Sequence, residues 1–368
     1  MNILIEIFIH KKIWNKIDMK EIKINSAKIG NSNPCFTIAE AGANHDGEIE
    51  KALKLIDSAV EAKADSIKFQ TYKASKLVTK TAPKYWDDGV KDETQFDVFN
   101  KLDSLNKSDW EQIFKYAEKK QITCFSTPFD EESVDLLYSL GVPAFKIASA
   151  DITHIPLIKQ VASKNLPIFI STGMAAESEI VEAVEAIQDQ GNQDIVIMHC
   201  MTSYPTLPED ANLEMIRTLA KKFPDCVIGY SDHTIGTDIP VFSIFYGSKC
   251  IEKHFTFDTK LTTSRDHRLS LNQEGFREMV EKLRLAERSR GKSERENFQV
   301  EFKAVKYARR SIVSLKKIPK GAIISKDMLA IKRPGTGISP KYLDEIVGKK
   351  VLKDIDEDVP IQESDLAN

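Results

Sequence analysis

The sequence predicts a parallel (β/α)8 barrel of the TIM type followed by a small β-rich module. Three observations carry that reading. Short apolar runs alternate with helical periodicity over about 250 residues, eight strands in all. Polar side chains able to bind an anion, a metal or a proton recur at the C-terminal end of nearly every run. Beyond about residue 307 the pattern changes to brief apolar pieces separated by Pro, Gly and Asp turns.

Residues 1–34 read as an extension and lead-in. The apolar stretch Asn2–Ile9 has no basic region before it and no small-residue cleavage site after it, unlike a signal peptide. Residues 1–18 read as a disordered extension or the product of an upstream start codon, with Met19 the more ordinary start. The barrel is expected over 35–290. Its strands are Phe36–Ala41, Asp65–Thr71, Ile122–Ser126, Ala144–Ser149, Pro167–Ser171, Ile195–Cys200, Val227–Tyr230 and Lys249–Lys253. Helical periodicity covers Ile49–Ala62, Trp110–Lys120 (capped by Ser108-Asp109), Glu131–Leu140, Pro156–Ser163, Ser178–Gln190, Leu213–Lys222, Ile239–Tyr246 and Asn272–Arg290. The long polar segment Tyr72–Ser108 reads as a lid over the strand ends, with disorder as the other option. Residues 291–306 read as a linker and 307–368 as the β-rich module. An open doubly wound sheet is the runner-up, and with no GxGxxG after the first strand its dinucleotide-binding version is removed.

Composition narrows the class. A chain of 368 residues with 42% hydrophobic content supports a sizeable core. The net charge of -3 argues against a broad nucleic-acid surface, and no apolar run reaches the roughly 18 residues of a membrane helix. Five cysteines without a CxxC pair fit reduced, buried thiols in a cytoplasmic protein.

The strand ends carry the functional argument. They read Glu40, Lys68-x-Gln70, Ser126-Thr127, Lys146-x-x-Ser149-x-Asp151, Ser171-Thr172, His199-x-x-Thr202-Ser203-Tyr204, Ser231-Asp232-His233 and His254. In a parallel barrel these positions share one mouth. Lys68 and Lys146 are flanked by apolar residues, and a buried lysine without a partner is costly. An anion would supply the partner, with Thr127, Ser149, Ser171 and Ser231 as neutral donors, a set suited to phosphate or a phosphorylated carboxylate. Ion pairs with Glu40 or Asp232 are the alternative, disfavoured for both lysines at once. His233 and His254 form a candidate pair of metal ligands with positions left open for water or substrate. Asp266-His267 either touches substrate, completes the metal shell, or is a solvated loop pair. His45 reads as structural.

With these residues assembled, the chain resembles the sialic acid synthase family. The matching stretches are Ile38-Ala39-Glu40-Ala41-Gly42-Ala43-Asn44-His45-Asp46-Gly47, Lys68-Phe69-Gln70, Ser126-Thr127-Pro128-Phe129, Phe145-Lys146-Ile147-Ala148-Ser149, Ser171-Thr172-Gly173-Met174, Tyr230-Ser231-Asp232-His233-Thr234, Glu252-Lys253-His254-Phe255 and Lys332-Arg333-Pro334-Gly335. The resemblance implies a TIM barrel followed by an antifreeze-like (SAF) domain, and a domain-swapped homodimer. It implies a transferase that condenses phosphoenolpyruvate with an N-acetylmannosamine-type sugar to give N-acetylneuraminate or a related acid plus phosphate. The other acceptors it allows are a diacetamido-trideoxyhexose, as for legionaminic or pseudaminic acid, and N-acetylmannosamine 6-phosphate. It implies a divalent metal on His233 and His254, manganese first, with magnesium or cobalt as options. By the same resemblance Lys68, Thr127, Lys146, Ser149, Ser171 and Ser231 hold phosphoenolpyruvate, and Glu40 is the acid/base group. Gln70, Asp151, Tyr204 and Asp266 line the sugar site, and Arg333 of the partner chain reaches the acetamido group. Thr202-Ser203, Asp151 and Ser264-Arg265-Asp266 depart from some bacterial members, leaving the reaction intact and the sugar open; Thr202 bears on phosphate or sugar contacts.

Two rivals remain at this level. One is a barrel aldolase using Lys146 as a Schiff base. The other is a sugar-binding protein without catalysis, using the SAF domain for docking.

Overall fold

The computed structural model describes residues 20–86, 92–291 and 299–367. The expectation for residues 1–18 lies outside them. The chain divides into two compact units, Met1–Gly291 and Lys292–Asn368.

The first unit opens with an antiparallel hairpin, β1 (Glu21–Ile24) and β2 (Ala27–Gly30). Eight parallel strands follow: β3 (Phe36–Gly42), β4 (Ser66–Thr71), β5 (Thr123–Pro128), β6 (Phe145–Ile147), β7 (Ile168–Ser171), β8 (Ile195–Cys200), β9 (Val227–Asp232) and β10 (Cys250–His254). They close in chain order, with β10 pairing back onto β3 so that His254 lies opposite Glu40. The helices between them bury their apolar stripes against the outside of the strands, in one cluster around Ile56, Ile67, Trp110 and Phe276 and another around Leu137, Ile158, Ile187 and Ile228.

The hairpin decides which mouth is open. Its strands alternate exposed and buried residues, and Ile22, Ile24 and Ile29 join Phe36, Phe125, Phe169, Val196 and Val227 in one cluster. Each isoleucine buried this way contributes ~1.5–3 kcal/mol. This plug packs against the lumen at the start of the strands, opposite the strand ends.

Three local differences from the sequence-based expectation have clear causes. The helix expected from Trp110 begins at Lys107: Asn106 accepts bonds from Ser108 N and Asp109 N, and Asp109 reciprocates in a capping box. β6 ends at Ile147, because Ser149–Asp151 turn into a single 3₁₀ turn that swings Ser149 and Asp151 to the rim. The stretch read as a lid holds two helices, Ala74–Leu77 and Gln95–Leu102, the second capped by Thr94 and Asp97. All five cysteines are free and buried. No helix among the described residues is long and apolar enough to cross a membrane.

The second unit contains an antiparallel pair, β11 (Ser311–Ser314) and β12 (Leu329–Lys332), around a core of Ile312, Ile318, Ile324, Val351, Ile355 and Ile361. Arg333 directly follows β12. A helix, Phe302–Ala308, occupies part of the stretch read as linker and is tied to this unit by Gly335 N donating to Lys306 O at 2.9 Å.

Candidate active site

A cavity of about 380 Å³ opens at the strand ends, lined by Glu40, Lys68, Gln70, Thr127, Lys146, Ser149, Asp151, Ser171, Thr202, Tyr204, Ser231, His233 and His254. These are the candidate residues except two. Asp266 is not among the lining residues but approaches the cavity through His254, its Oδ2 4.0 Å from Nδ1. Arg333 belongs to the second unit.

At the cavity floor four charges alternate. Lys68 Nζ lies 2.5 Å from Glu40 Oε2, 2.8 Å from Thr127 Oγ1 and 3.8 Å from Glu252 Oε2. Lys146 Nζ donates to both Glu252 oxygens at 2.9 and 3.2 Å. Ser231 Oγ donates to Glu252 Oε1 at 2.9 Å, and Gln70 Nε2 to Glu40 Oε1 at 3.0 Å. All four charged side chains are buried. Both lysines therefore have carboxylate partners within the protein, which corrects the expectation that one would lack them. The missed partner is Glu252, and a signal for it existed: it precedes His254 by two residues, so strand alternation puts both on the same face.

The two carboxylates are driven apart electrostatically. Burial raises Glu40 above the usual carboxylate range, and Lys68 offsets this only in part. Burial also pushes Glu252 upward, but Lys146 and Lys68 outweigh it and hold the group below that range. One floor carboxylate is thus poised to carry a proton while the other stays ionised. Burial likewise works against the Lys146 ammonium, yet the Glu252 carboxylate prevails and its pKa is raised. A Schiff-base lysine needs a neutral amine, so this pairing counts against the aldolase rival.

Beside the charged floor stand the histidines. Their ring centroids are 5.3 Å apart, and the Tyr204 ring lies 4.2 Å from His233. His233 Nδ1 sits 2.8 Å from Met201 O. A carbonyl only accepts, so Nδ1 carries the proton and Nε2 is left basic. His254 Nδ1 is buried without a hydrogen bond among the described residues, and burial pulls its pKa down to about 3. Burial works against a charge on His233 too, but the Cys200 thiol beside its ring outweighs this and raises its pKa. Two imidazoles at this separation suit a divalent transition metal, which takes both rings in the neutral form. No group of three or more His, Cys, Asp or Glu among the described residues forms a metal shell, so remaining ligands would come from water or substrate.

Three further polar groups on the cavity wall are buried without hydrogen bonds among the described residues: Ser171 Oγ, Thr202 Oγ1 and Asp151 Oδ2. Buried polar atoms are rarely left so, and a polar ligand would satisfy them. Burial also pushes Asp151 up to about 6, with His154 opposing. Ser149 Oγ accepts from Gly173 N at 3.0 Å. Gly173 must be a glycine to pass this wall: a Cβ there would stand 2.1 Å from Thr202 Oγ1 and 2.8 Å from Ser149 Oγ. Toward the loops the cavity turns apolar, with Leu77, Val78, Phe99, Phe129 and Met174. Phe129 and Met174 fall within the matching stretches named from the sequence, but no residue of this outer wall is assigned a role there, because nothing local marks which loop residues fold over a strand end.

Comparison with known proteins gives the family. Residues 55–295 match the NeuB family and residues 309–367 the SAF domain. The chain is 40% identical to the N,N'-diacetyllegionaminic acid synthase of Legionella pneumophila, over 89% of this chain and 94% of that protein. It is 32% identical to the N-acetylneuraminate-9-phosphate synthase of Homo sapiens, over 91% and 93%. A crystal structure of N-acetylneuraminic acid (sialic acid) synthetase from Leptospira borgpetersenii, in complex with citrate, superposes with a TM-score of 0.70 at 34% identity, covering 78% of this chain and 95% of that one.

Proposed function

This chain belongs to the NeuB family, and we propose that it is a nonulosonate synthase. In this reading it condenses phosphoenolpyruvate with an N-acetylated, mannosamine-type sugar, giving a sialic-type acid and inorganic phosphate. One observation carries the reading: two buried lysines, and hydroxyls without hydrogen bonds among the described residues, sit beside a pair of imidazoles at one barrel mouth.

Lys68, Lys146, Thr127, Ser149, Ser171 and Ser231 hold the enol phosphate. Its anionic groups share the ammonium groups that Glu40 and Glu252 otherwise occupy, and Glu40, already raised, can take up a proton as they arrive. His233 and His254 would hold a divalent cation, manganese first, whose chemistry when bound is to polarise the open-chain sugar aldehyde. Gln70, Asp151, Tyr204 and Asp266 orient the sugar so that its carbonyl carbon faces carbon 3 of phosphoenolpyruvate. The carbon–carbon bond forms and the carbonyl oxygen takes the proton that Glu40 carries, leaving Glu40 as the carboxylate. Water adds to the cationic carbon 2, losing a proton to Glu40. Phosphate then leaves by C–O cleavage, its charge stabilised throughout by the lysines.

The outer wall favours a particular acceptor. Leu77, Val78, Phe99 and Phe129 offer apolar surface suited to methyl and acetamido groups. With the legionaminic acid synthase relative at 40% identity, this supports a diacetamido-trideoxyhexose over a phosphorylated sugar. The test is phosphate release from phosphoenolpyruvate with manganese, against a panel of N-acetylated hexosamines. The diacetamido-trideoxyhexose is expected to give the highest kcat/KM. Release with none of the sugars, despite bound manganese, would leave the non-catalytic rival standing.

A further inference from the structure

One strand position away from each histidine lies an ion pair that is not among the lining residues of that cavity. Lys253 is completely buried and Asp232 nearly so, and Lys253 Nζ lies 2.5 Å from Asp232 Oδ2. The two residues are direct register partners between β9 and β10. Their neighbours Ser231 and Glu252 line the cavity, so alternation turns Asp232 and Lys253 toward the helical layer.

We propose that Asp232 and Lys253 are positioning residues that set the spacing of the His233 and His254 imidazoles for a divalent cation. This rests on the reading that those histidines hold one. Asp232 Oδ1 accepts from Tyr230 OH at 2.8 Å and from Thr234 N at 3.1 Å, the second closing a tight turn around His233. Asp232 Oδ2 accepts from Thr234 Oγ1 at 2.9 Å as well as from Lys253. The Lys253 ammonium also donates to Thr234 O. Both residues flanking His233 are therefore tied to one ammonium group, and that ammonium belongs to the residue bonded directly to His254. Outside this knot the backbone is pinned again, by Thr206 N to His233 O at 3.0 Å and Leu271 N to His254 O at 2.8 Å.

Stability alone does not account for such a pair. Replacing a buried ion pair with apolar side chains of similar size is often neutral or stabilising. A fully satisfied pair adjoining both histidines is better explained by geometry, since groups behind metal ligands orient them.

The experiment measures binding of manganese ion to the metal-free protein by electron paramagnetic resonance, alongside thermal unfolding. The variants are the apolar pair Asp232→Leu/Lys253→Met and, as a control, His233→Ala. The apolar pair is expected to fold with a lowered Tm, since Tyr230 OH, Thr234 N and Thr234 Oγ1 lose their acceptor, and, measured below that Tm, to bind manganese roughly 10–100-fold more weakly. Raising manganese should recover part of its kcat/KM. Unchanged manganese affinity in the folded double variant overturns the positioning role. If that variant does not fold, Tyr230→Phe and Thr234→Val each remove one bond to Asp232. Several-fold weaker manganese binding at unchanged Tm supports the proposal, and unchanged binding in both overturns it. His233→Ala binding manganese as tightly as the wild type would sink the metal reading itself, and the positioning role with it.

Discussion

Lys146 and Glu252 join opposite walls of the barrel. β6 and β10 are separated by three strands in either direction around the closed sheet, yet the Lys146 ammonium reaches both Glu252 oxygens at 2.9 and 3.2 Å. The pair spans the lumen beneath the cavity and sets the charge that an incoming anion meets.

Glu252→Gln therefore removes the counter-charge of a buried lysine. Losing one partner of such a pair costs roughly 3–5 kcal/mol, because the remaining charge is left uncompensated. Saturating phosphoenolpyruvate should restore much of that loss by replacing the missing anion. Thermal unfolding with and without the ligand checks this, and the ligand-induced rise in Tm should be larger in the variant than in the wild type. An equal rise in both would mean that the ligand does not engage Lys146.

His233→Ala removes one imidazole from the pair at 5.3 Å. Phosphate release should fall by more than ~100-fold, the loss expected when several kcal/mol of charge stabilisation go. The fold should survive, with a Tm within a few degrees of the wild type. Substantial turnover in this variant would end the metal assignment.

Gly173→Ala places a methyl group 2.1 Å from Thr202 Oγ1, so Thr202 and Ser149 must shift. The expected consequence is a loss of about tenfold in kcat/KM for phosphoenolpyruvate, about 1.4 kcal/mol. Steady-state kinetics at fixed sugar measure it; unaltered values would show that the wall yields without cost.

His45 provides the pH prediction. It packs against Phe69 and Trp110, its Nδ1 accepts from Gly47 N at 3.0 Å, and burial lowers its pKa from 6.5 to about 4, Asp46 opposing. The unfolded chain thus binds more protons than the folded one between those two values. Stability from this group is whole above the unfolded pKa and drains away as pH falls toward the folded one. By pH 5 the loss is about 2 kcal/mol. His45→Asn keeps an acceptor for Gly47 N without the titration. The Tm difference between wild type and variant should shrink between pH 7.5 and pH 5, and a constant difference would contradict the neutral, buried imidazole.

Much of the site is legible in the chain because barrel strands bring the residues after each apolar run to one mouth. Glu40, Lys68, Lys146, His233 and His254 follow that rule and line one cavity. The charge pairing is not legible in the same way, since Lys146 meets Glu252 from a strand 106 residues distant. Nor is the apolar outer wall, which comes from loops whose path depends on caps such as Thr94 and Asp97.

Alternating periodicity determined the parallel barrel, its order and the end at which chemistry gathers, because those follow from local pattern and the handedness of βαβ connections. The tertiary structure alone decided which carboxylate answers which lysine, which hydroxyls stay unsatisfied, and how Asp232 and Lys253 hold the histidines. Those outcomes depend on distances across a closed sheet, and no spacing along the chain encodes a distance through the lumen.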